Sequence, residues 1–323
     1  MKKILFTGGS GYIGSHIINE LNKHSYKIYN YDLIVYDHYI NQGVENIRGD
    51  ICDQDKLTKI LLEIKPDLII HLAALTNVEE SNLYPAEYYA ANTFGTMSLL
   101  CAMKKALVKN IIFSSTAAVY DLNKNESLVE NDELKPQNVY GKSKMFAENI
   151  ILDMANSYKF NFIIFRFFNV IGLTSNKFYK KNKKNTNLLP LVIEVALRMK
   201  DKLFIYGSDY ETRDGTAIRD YIDIVDIVNA HLKGIDFIEN KRGNEIFNLG
   251  SEVGLSVNQI INCVEKISQV QIRKEYVGRR SGDSAVSLAS SKKANQLLNW
   301  SVSESYLERS IKSLLDFYQK GKF

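Results

Sequence analysis

At 323 residues the chain can bury a large core and has the length of about two domains. It is 45% hydrophobic and 24% charged, and its net charge of +4 is too small to argue for a nucleic-acid partner. Cys52, Cys101 and Cys263 share no metal-ligand spacing and are odd in number, so neither a metal site nor a disulfide framework is expected, and a reducing cytoplasm is the simplest location. No run approaches the ~20 apolar residues that span a bilayer, so no membrane partner is expected. Met1-Lys2-Lys3 is basic and Ile4-Leu5-Phe6 apolar, but glycines follow at once, so this start reads as a first strand rather than a signal peptide.

Along the first half, short apolar runs alternate with longer amphipathic ones. Strands are expected at Lys3–Thr7, Tyr26–Asp32, Leu68–Leu72, Ile111–Ser114 and Phe162–Phe167. Helical patterns separate them near Tyr12–Lys23, Gln54–Ile64, Ala86–Ala106 and Tyr140–Ser157. This alternation predicts an α/β fold, a doubly wound parallel sheet of Rossmann type with helices on both faces. Continuous apolar strands such as Leu68-Ile69-Ile70-His71-Leu72 suit burial on both sides. After about residue 170 the rhythm loosens. The Lys-rich stretch Lys177–Asn187 reads as a solvated connector, helices are expected near Leu189–Met199, Val225–Gly234 and Val257–Ser268, and a strand at Glu245–Leu249. The division expected is a dinucleotide-binding domain over residues 1–170, completed by about 222–249, and a smaller α+β substrate domain over 171–323.

Between the first strand and first helix lies Phe6-Thr7-Gly8-Gly9-Ser10-Gly11-Tyr12-Ile13-Gly14. Gly8, Gly11 and Gly14 permit a tight turn, close backbone approach to a pyrophosphate, and close packing of helix on sheet. The helix N-terminus then favours the phosphate charge. In this strand–loop–helix setting the loop, including Tyr12 and Ile13, is expected to bind a dinucleotide; the bland alternative is a structural turn. Asp32, 24 residues beyond Gly8 at the end of the second strand, can accept hydrogen bonds from ribose hydroxyls and repel a 2′-phosphate, which favours NAD over NADP. Asp37 is the weaker candidate for that role.

Tyr140 and Lys144 lie one helical turn apart. The same spacing recurs at Tyr120/Lys124, Tyr179/Lys183 and Tyr318/Lys322, but only Tyr140 opens an amphipathic helix downstream of a strand ending in Ser114-Ser115-Thr116. Removing hydride from a carbinol carbon needs a base for the hydroxyl proton. A free tyrosine titrates near ~10, so a drop of ~3 units, about 4 kcal/mol, is asked of Lys144 and an oxidised nicotinamide. Thr116 is expected to hydrogen-bond the reacting oxygen. The rival reading is a surface tyrosine beside an unrelated lysine.

With these parts placed, the chain resembles the extended short-chain dehydrogenase/reductase family, and within it the UDP-glucose (UDP-galactose) 4-epimerases. The likeness runs over essentially the whole chain, through Thr7–Gly14, Gly49-Asp50-Ile51, His71-Leu72-Ala73-Ala74, Phe113–Tyr120, Tyr140–Lys144, Arg166-Phe167-Phe168-Asn169, Asp214–Ile222 and Arg279-Arg280-Ser281-Gly282-Asp283. The resemblance implies that Asp50 and Ile51 meet the adenine, that Leu72, Ala73, Ala74 and Asn92 line the dinucleotide, and that Phe168 lies near the nicotinamide. It implies that Asn169, Asn187 and Leu188 hold a sugar nucleotide, with Tyr206 beside the uridine. Arg219 and Arg280 would neutralise the diphosphate, as paired guanidinium groups do well, and Asp283 would bind the ribose. Taken alone, either arginine could be an ordinary surface cation. The activity implied is C4 inversion of a UDP-hexose through a 4-keto sugar with retained NAD, and family members are often homodimers through the helices near Ala86–Ala106 and Tyr140–Ser157.

The chain departs from the family at three places. Thr76 replaces a common lysine that contacts cofactor or sugar phosphate, the loop from Leu33 to Gly49 is short, and Ser287 stands where some members carry a bulky tyrosine. A small residue there leaves room for an N-acetyl group, so UDP-GlcNAc/UDP-GalNAc is expected to be turned over beside UDP-Glc/UDP-Gal. Ala117-Ala118 occupies the slot where related 4,6-dehydratases need an acidic pair. The rivals that remain are a nucleotide-sugar dehydrogenase or reductase, with net cofactor consumption, and a catalytically silent NAD-binding regulatory protein.

Overall fold

The computed structural model describes residues 1–35, 43–121, 126–174, 187–240, 243–280, 283–304 and 306–320. Asp37, Lys124, Tyr179, Lys183, Ser281, Gly282, Lys322 and most of the Lys177–Asn187 stretch lie outside the described residues. Strands follow in the order β1 (Lys2–Thr7), β2 (Tyr26–Asp32), β3 (Glu45–Arg48), β4 (Leu68–His71), β5 (Asn110–Thr116), β6 (Asn161–Phe167), β7 (Asn169–Ile171), β8 (Leu203–Tyr206), β9 (Ile218–Asp223), β10 (Glu245–Leu249), β11 (Gly254–Ser256), β12 (Lys274–Val277) and β13 (Val286–Ser287). Helices are α1 (Tyr12–Leu21), α2 (Gln54–Ile64), α3 (Val78–Leu83), α4 (Pro85–Tyr88), α5 (Gly95–Ala106), α6 (Val139–Tyr158), α7 (Leu188–Ala196), α8 (Ile224–Glu239), α9 (Val257–Ser268), α10 (Lys292–Leu298) and α11 (Tyr306–Gln319). The chain divides into two compact units. The first comprises Met1–Tyr120, Glu133–Phe167 and Val228–Phe247, and the second comprises Asp121–Asp132, Phe168–Ile227 and Asn248–Phe323.

The first unit is built on a sheet of order β3-β2-β1-β4-β5-β6-β10. From β3 to β6 every pairing is parallel. The fold is the expected α/β arrangement of Rossmann type. Leu5, Ile69, Ile111, Phe113 and Ile164 are fully buried in one cluster with Leu57 and Leu61 of α2 and Leu99 and Leu100 of α5. Each such side chain contributes roughly 1.5–3 kcal/mol relative to exposure. The order reverses direction between β1 and β4, and in such sheets the crevice beyond the strand C-termini at that point receives the ligand.

Two features of this unit differ from the sequence expectation. Glu45–Arg48 forms an edge strand although three of its four residues are polar, because β2 supplies the ladder and Ile47 packs against the core. The single helix expected over Ala86–Ala106 is α4 and α5 joined by a π-helical turn at Tyr89–Phe94. That wide turn carries Asn92, whose amide is 1% exposed and fully engaged, as described below.

In the second unit β9 is central. It pairs with β7, β11 and β13, while β8 and β12 form a separate parallel pair. Buried carboxylates tie this unit together. Asp220 accepts from the Ser251 and Ala289 backbone amides at 2.6 and 3.1 Å, and Asp223 accepts from Ser310 Oγ and Arg309 Nε at 2.6 and 3.1 Å. Such polar residues hide a buried strand from an apolar-run search, and β9 was not expected for that reason. Among the described residues no helix is long and apolar enough to cross a membrane.

Candidate active site

The glycine loop leaves β1 at Thr7. Gly8 has φ +76°, and a Cβ there would lie 2.4 Å from the Ala73 nitrogen just beyond β4. A Cβ on Gly14 would lie 2.7 Å from the Gly8 oxygen, so these two glycines serve the fold itself. Gly11 is different: its nearest neighbour to a Cβ is the Gly8 oxygen at 3.2 Å, and it is exposed. Gly11 is also the N-cap of α1, which has no side-chain cap and no acidic residue in its first turn. No acidic side chain of that turn competes for the positive end of the helix, as a pyrophosphate site requires. Tyr12 and Ile13 begin the helix, half-buried. Asp32 accepts from the Ser10 amide at 3.0 Å and the Ile34 amide at 3.1 Å, which holds its carboxylate against the loop. These residues fit an NAD dinucleotide.

The flanking positions are more committed than the resemblance implies. Asp50 Oδ1 caps the Cys52 amide, and Ile51 packs its side chain into the core beside Gly95, so only their backbone and the exposed Asp50 edge face outward. Leu72, Ala73 and Ala74 are half-buried at the end of β4, and the Leu72 amide donates to Thr7 O at 2.9 Å. Asn92 Oδ1 accepts from the Leu75 amide at 2.8 Å, while Nδ2 donates to Leu75 O and Ser143 Oγ, both at 2.9 Å. Its amide therefore binds the loop after β4 to α6. Thr76 on that loop is exposed.

His71 closes the floor. Thr96 gives its one proton to Asn92 O at 2.6 Å, so it accepts from His71 Nε2, and Thr7 Oγ1 in turn donates to Nδ1 at 2.7 Å. Burial, with Lys144 adding to it, pushes His71 down to about 3, so the ring stays neutral.

Helix α6 brings the chemical groups to the end of β5. Asn138 caps it by accepting from the Gly141 amide at 2.8 Å. A Cβ on Gly141 would lie 2.2 Å from Ala118 O, so glycine lets the helix press against the turn after Thr116. Tyr140 in the first helical turn is thereby brought to the Thr116 hydroxyl, whose Oγ1 accepts from the Ala118 amide at 3.2 Å. One turn on, Lys144 is 3% exposed, donates to Ser114 O at 2.7 Å and sits 4.5 Å over the Phe113 ring. The two competing tyrosines among the described residues are engaged elsewhere: Tyr120 OH accepts from Arg166 at 2.8 Å, and Tyr318 OH meets Glu194 at 3.4 Å.

Burial raises Tyr140 to about 12, with the Thr116 hydrogen bond pulling the other way, and burial lowers Lys144 to about 7. Lys144 directs one N–H at Ser114 O, and in the bare chain desolvation works against both the ammonium and the phenolate.

In the second unit, Arg219 on β9 donates to Ile218 O and Ser284 O at 2.9 Å and lies 3.7 Å from the Asp283 carboxylate. Ser287, 6% exposed on β13, pairs in register with Arg219. The Arg280 guanidinium lies 3.8 Å over the Tyr206 ring, which is 38% exposed. Phe168 is buried, Asn169 is exposed at the start of β7, and Asn187 stands at the N-cap position of α7, without a side-chain capping bond, with Leu188 following it. Arg219, Asp283 and Ser287 are thus neighbours, and Tyr206 with Arg280 forms a second pair.

Residues 4–250 match the NAD dependent epimerase/dehydratase family. The chain belongs to that family. Its relatives include a UDP-glucose 4-epimerase of Rhizobium leguminosarum bv. trifolii, 34% identical over 98% of both chains. Among solved structures, UDP-glucose 4-epimerase from Brucella ovis in complex with NAD is similar with a TM-score of 0.93, 32% identity and 98% of each chain covered. The UDP-Glc/GlcNAc 4-epimerase from Campylobacter jejuni has a TM-score of 0.86 and 33% identity, over 99% of this chain and 100% of that one.

Sequence reasoning gave no role to Glu148, four residues beyond Lys144. Its carboxylate is fully buried against Arg166 and Ser115. The i, i+4 spacing from Lys144 was the available signal.

Proposed function

We propose that the chain inverts C4 of a UDP-hexose, interconverting UDP-glucose and UDP-galactose, with NAD that stays bound between turnovers. The observation that carries the reading is the Thr116–Tyr140–Lys144 arrangement at the end of β5, in a sheet whose glycine loop fits a dinucleotide. Gly8 to Gly14, Asp32, Asp50, Ile51, Leu72, Ala73, Ala74 and Phe168 would hold NAD. When bound, NAD supplies the acceptor and later the donor of the C4 hydride, and a positive ring that favours the Tyr140 phenolate.

The chain's own part is proton handling and anchoring. Tyr140 removes the 4-hydroxyl proton, assisted by the Thr116 hydroxyl and by the positive N-terminal end of α6. Lys144 in its ammonium form stabilises the phenolate. Arg219 and Arg280 hold the diphosphate, Asp283 the ribose, and Tyr206 the uracil, so binding energy sits on the UDP half. The 4-keto sugar is loosely held by Asn169, Asn187 and Leu188, turns about its diphosphate link, and takes the proton back from Tyr140 on the other face. A dehydrogenase or reductase would differ in its balance. With excess NAD, adding UDP-galactose is expected to produce no stoichiometric reduced nicotinamide; one equivalent per sugar would identify the rival.

Ser287 extends the substrate range. Its small side chain beside Arg219 supports turnover of UDP-GlcNAc/UDP-GalNAc as well. Ser287→Tyr is expected to lower kcat/KM for the acetylated pair at least about tenfold while the plain pair changes less than about threefold. Steady-state rates on both pairs read this, and equal loss on both would defeat it.

The protein acts as a cytoplasmic homodimer in this reading. Its free cysteines suit a reducing compartment. Phe94, Met97 and Phe146 are 48%, 38% and 41% exposed and, with Tyr89 and Ile150, give the α5 and α6 side an apolar surface that a second copy would cover. Sedimentation is expected to give the mass of two chains.

A further inference from the structure

Three residues of α6, spaced a turn apart, meet three successive residues of β5. Tyr140 bonds the Thr116 hydroxyl, Lys144 the Ser114 carbonyl, and Glu148 the Ser115 hydroxyl. The first two contacts belong to the proton-transfer site; the third has no part in it so far. Glu148 is 0% exposed. Its carboxylate accepts from Arg166 Nη2 at 2.6 Å and from Nε at 3.1 and 3.2 Å, while Arg166 Nη1 reaches Tyr120 OH at 2.8 Å and its guanidinium stacks on the Tyr120 ring at 4.8 Å. A charge pair placed this deep is costly to desolvate and is weak evidence for stability as such, so its location asks for a reason.

The surroundings of Lys144 supply one. From β5 it meets the Phe113 ring and the Ser114 carbonyl, and from β4 it faces His71, which is neutral. From α6 Glu148 acts on it and Tyr140 stands one turn before it; Arg166 on β6 is spent on Glu148 and Tyr120. Burial works against the ammonium, and Glu148 is the group acting to keep it. We infer that Glu148 is a positioning residue of the proton-transfer pair: clamped by Arg166 and Ser115, it holds Lys144 as an ammonium at the Ser114 carbonyl and so keeps the Tyr140 phenolate accessible. This rests on the epimerase reading for its meaning but not for its test.

In Glu148→Gln the amide keeps the shape and drops the charge. In the NAD-containing protein the positive ring brings Tyr140 down into the range of Lys144, so the variant's Lys144 loses its proton at lower pH and Tyr140 then ionises beside a neutral amine, at higher pH. The phenolate band is read in the NAD-containing protein as a difference from Tyr140→Phe, since the chain has 19 tyrosines. The midpoint of the Tyr140 signal is expected to rise by about one pH unit or more. The kcat at neutral pH should fall about tenfold and recover as pH rises, with KM and bound NAD changing less than about twofold. Should the midpoint stay in place while kcat drops equally at every pH, Glu148 is a buttress only and the inference is wrong. Removing one partner leaves Arg166 uncompensated, so Glu148→Gln/Arg166→Met is measured alongside and should show a smaller displacement in the same direction, because the guanidinium's repulsion of the ammonium goes too. Failure of both variants to fold would assign the pair to stability and equally overturn the inference. Because the titration needs no turnover, a wild type that inverts no C4 would sink the epimerase reading without touching this result.

Discussion

Tyr140→Phe is expected to lower kcat for C4 inversion by about a thousandfold or more, with NAD still bound. The substitution keeps the ring and removes one hydroxyl. General acid–base groups supply roughly 10²–10⁴-fold, and here the same oxygen takes the proton and returns it, so both halves of the cycle fail together. Thr116 loses a partner, which costs about 1 kcal/mol and should lower Tm only slightly. The glycine loop and Asp32 are untouched, so cofactor released on denaturation should match wild type. A kcat within tenfold of wild type would remove the proposed base and with it the mechanism.

The second large effect separates two glycines that a motif treats alike. Gly8→Ala places a side chain at φ +76° and drives its Cβ into the Ala73 backbone. Left-handed strain of roughly 1–2 kcal/mol and overpacking of roughly 1–3 kcal/mol together give about 3 kcal/mol of lost stability. Gly11→Ala meets only the Gly8 oxygen at 3.2 Å and lies at the uncapped start of α1. It should leave the Tm of the NAD-free protein within about 2 °C while weakening NAD at least about tenfold, because the methyl group stands where the pyrophosphate approaches. Thermal unfolding with and without NAD checks both. Equal loss of stability in the two variants would contradict the division of roles.

The first unit was largely legible in the sequence because its strands are buried on both faces. Tyr26–Asp32 and Gln54–Ile64 form with the bounds read from residue pattern alone, since apolar periodicity and burial coincide there. The π-helical turn at Tyr89–Phe94 was not legible: it depends on Asn92 reaching Leu75 and Ser143, partners distant in the chain. β9 was missed for a related reason, as Asp220 and Asp223 are buried only because Ser251, Ala289, Arg309 and Ser310 satisfy them. At the site, Tyr140 and Lys144 stood out by opening an amphipathic helix after a strand ending in Ser114-Ser115-Thr116, and the capping residue Asn138 and Gly141 explain why they reach β5. The opposing desolvation was not legible: burial raises Tyr140 and lowers Lys144, and only the fold shows how far each is buried.

The most direct test of the hydride shuttle is NMR of purified protein with UDP-galactose in deuterated water, without added cofactor. The expected result is conversion to an equilibrium mixture with UDP-glucose in which C4 keeps its original hydrogen, since the hydride leaves and returns without meeting solvent. Deuterium appearing at C4, or no conversion by protein that carries NAD, would contradict the account.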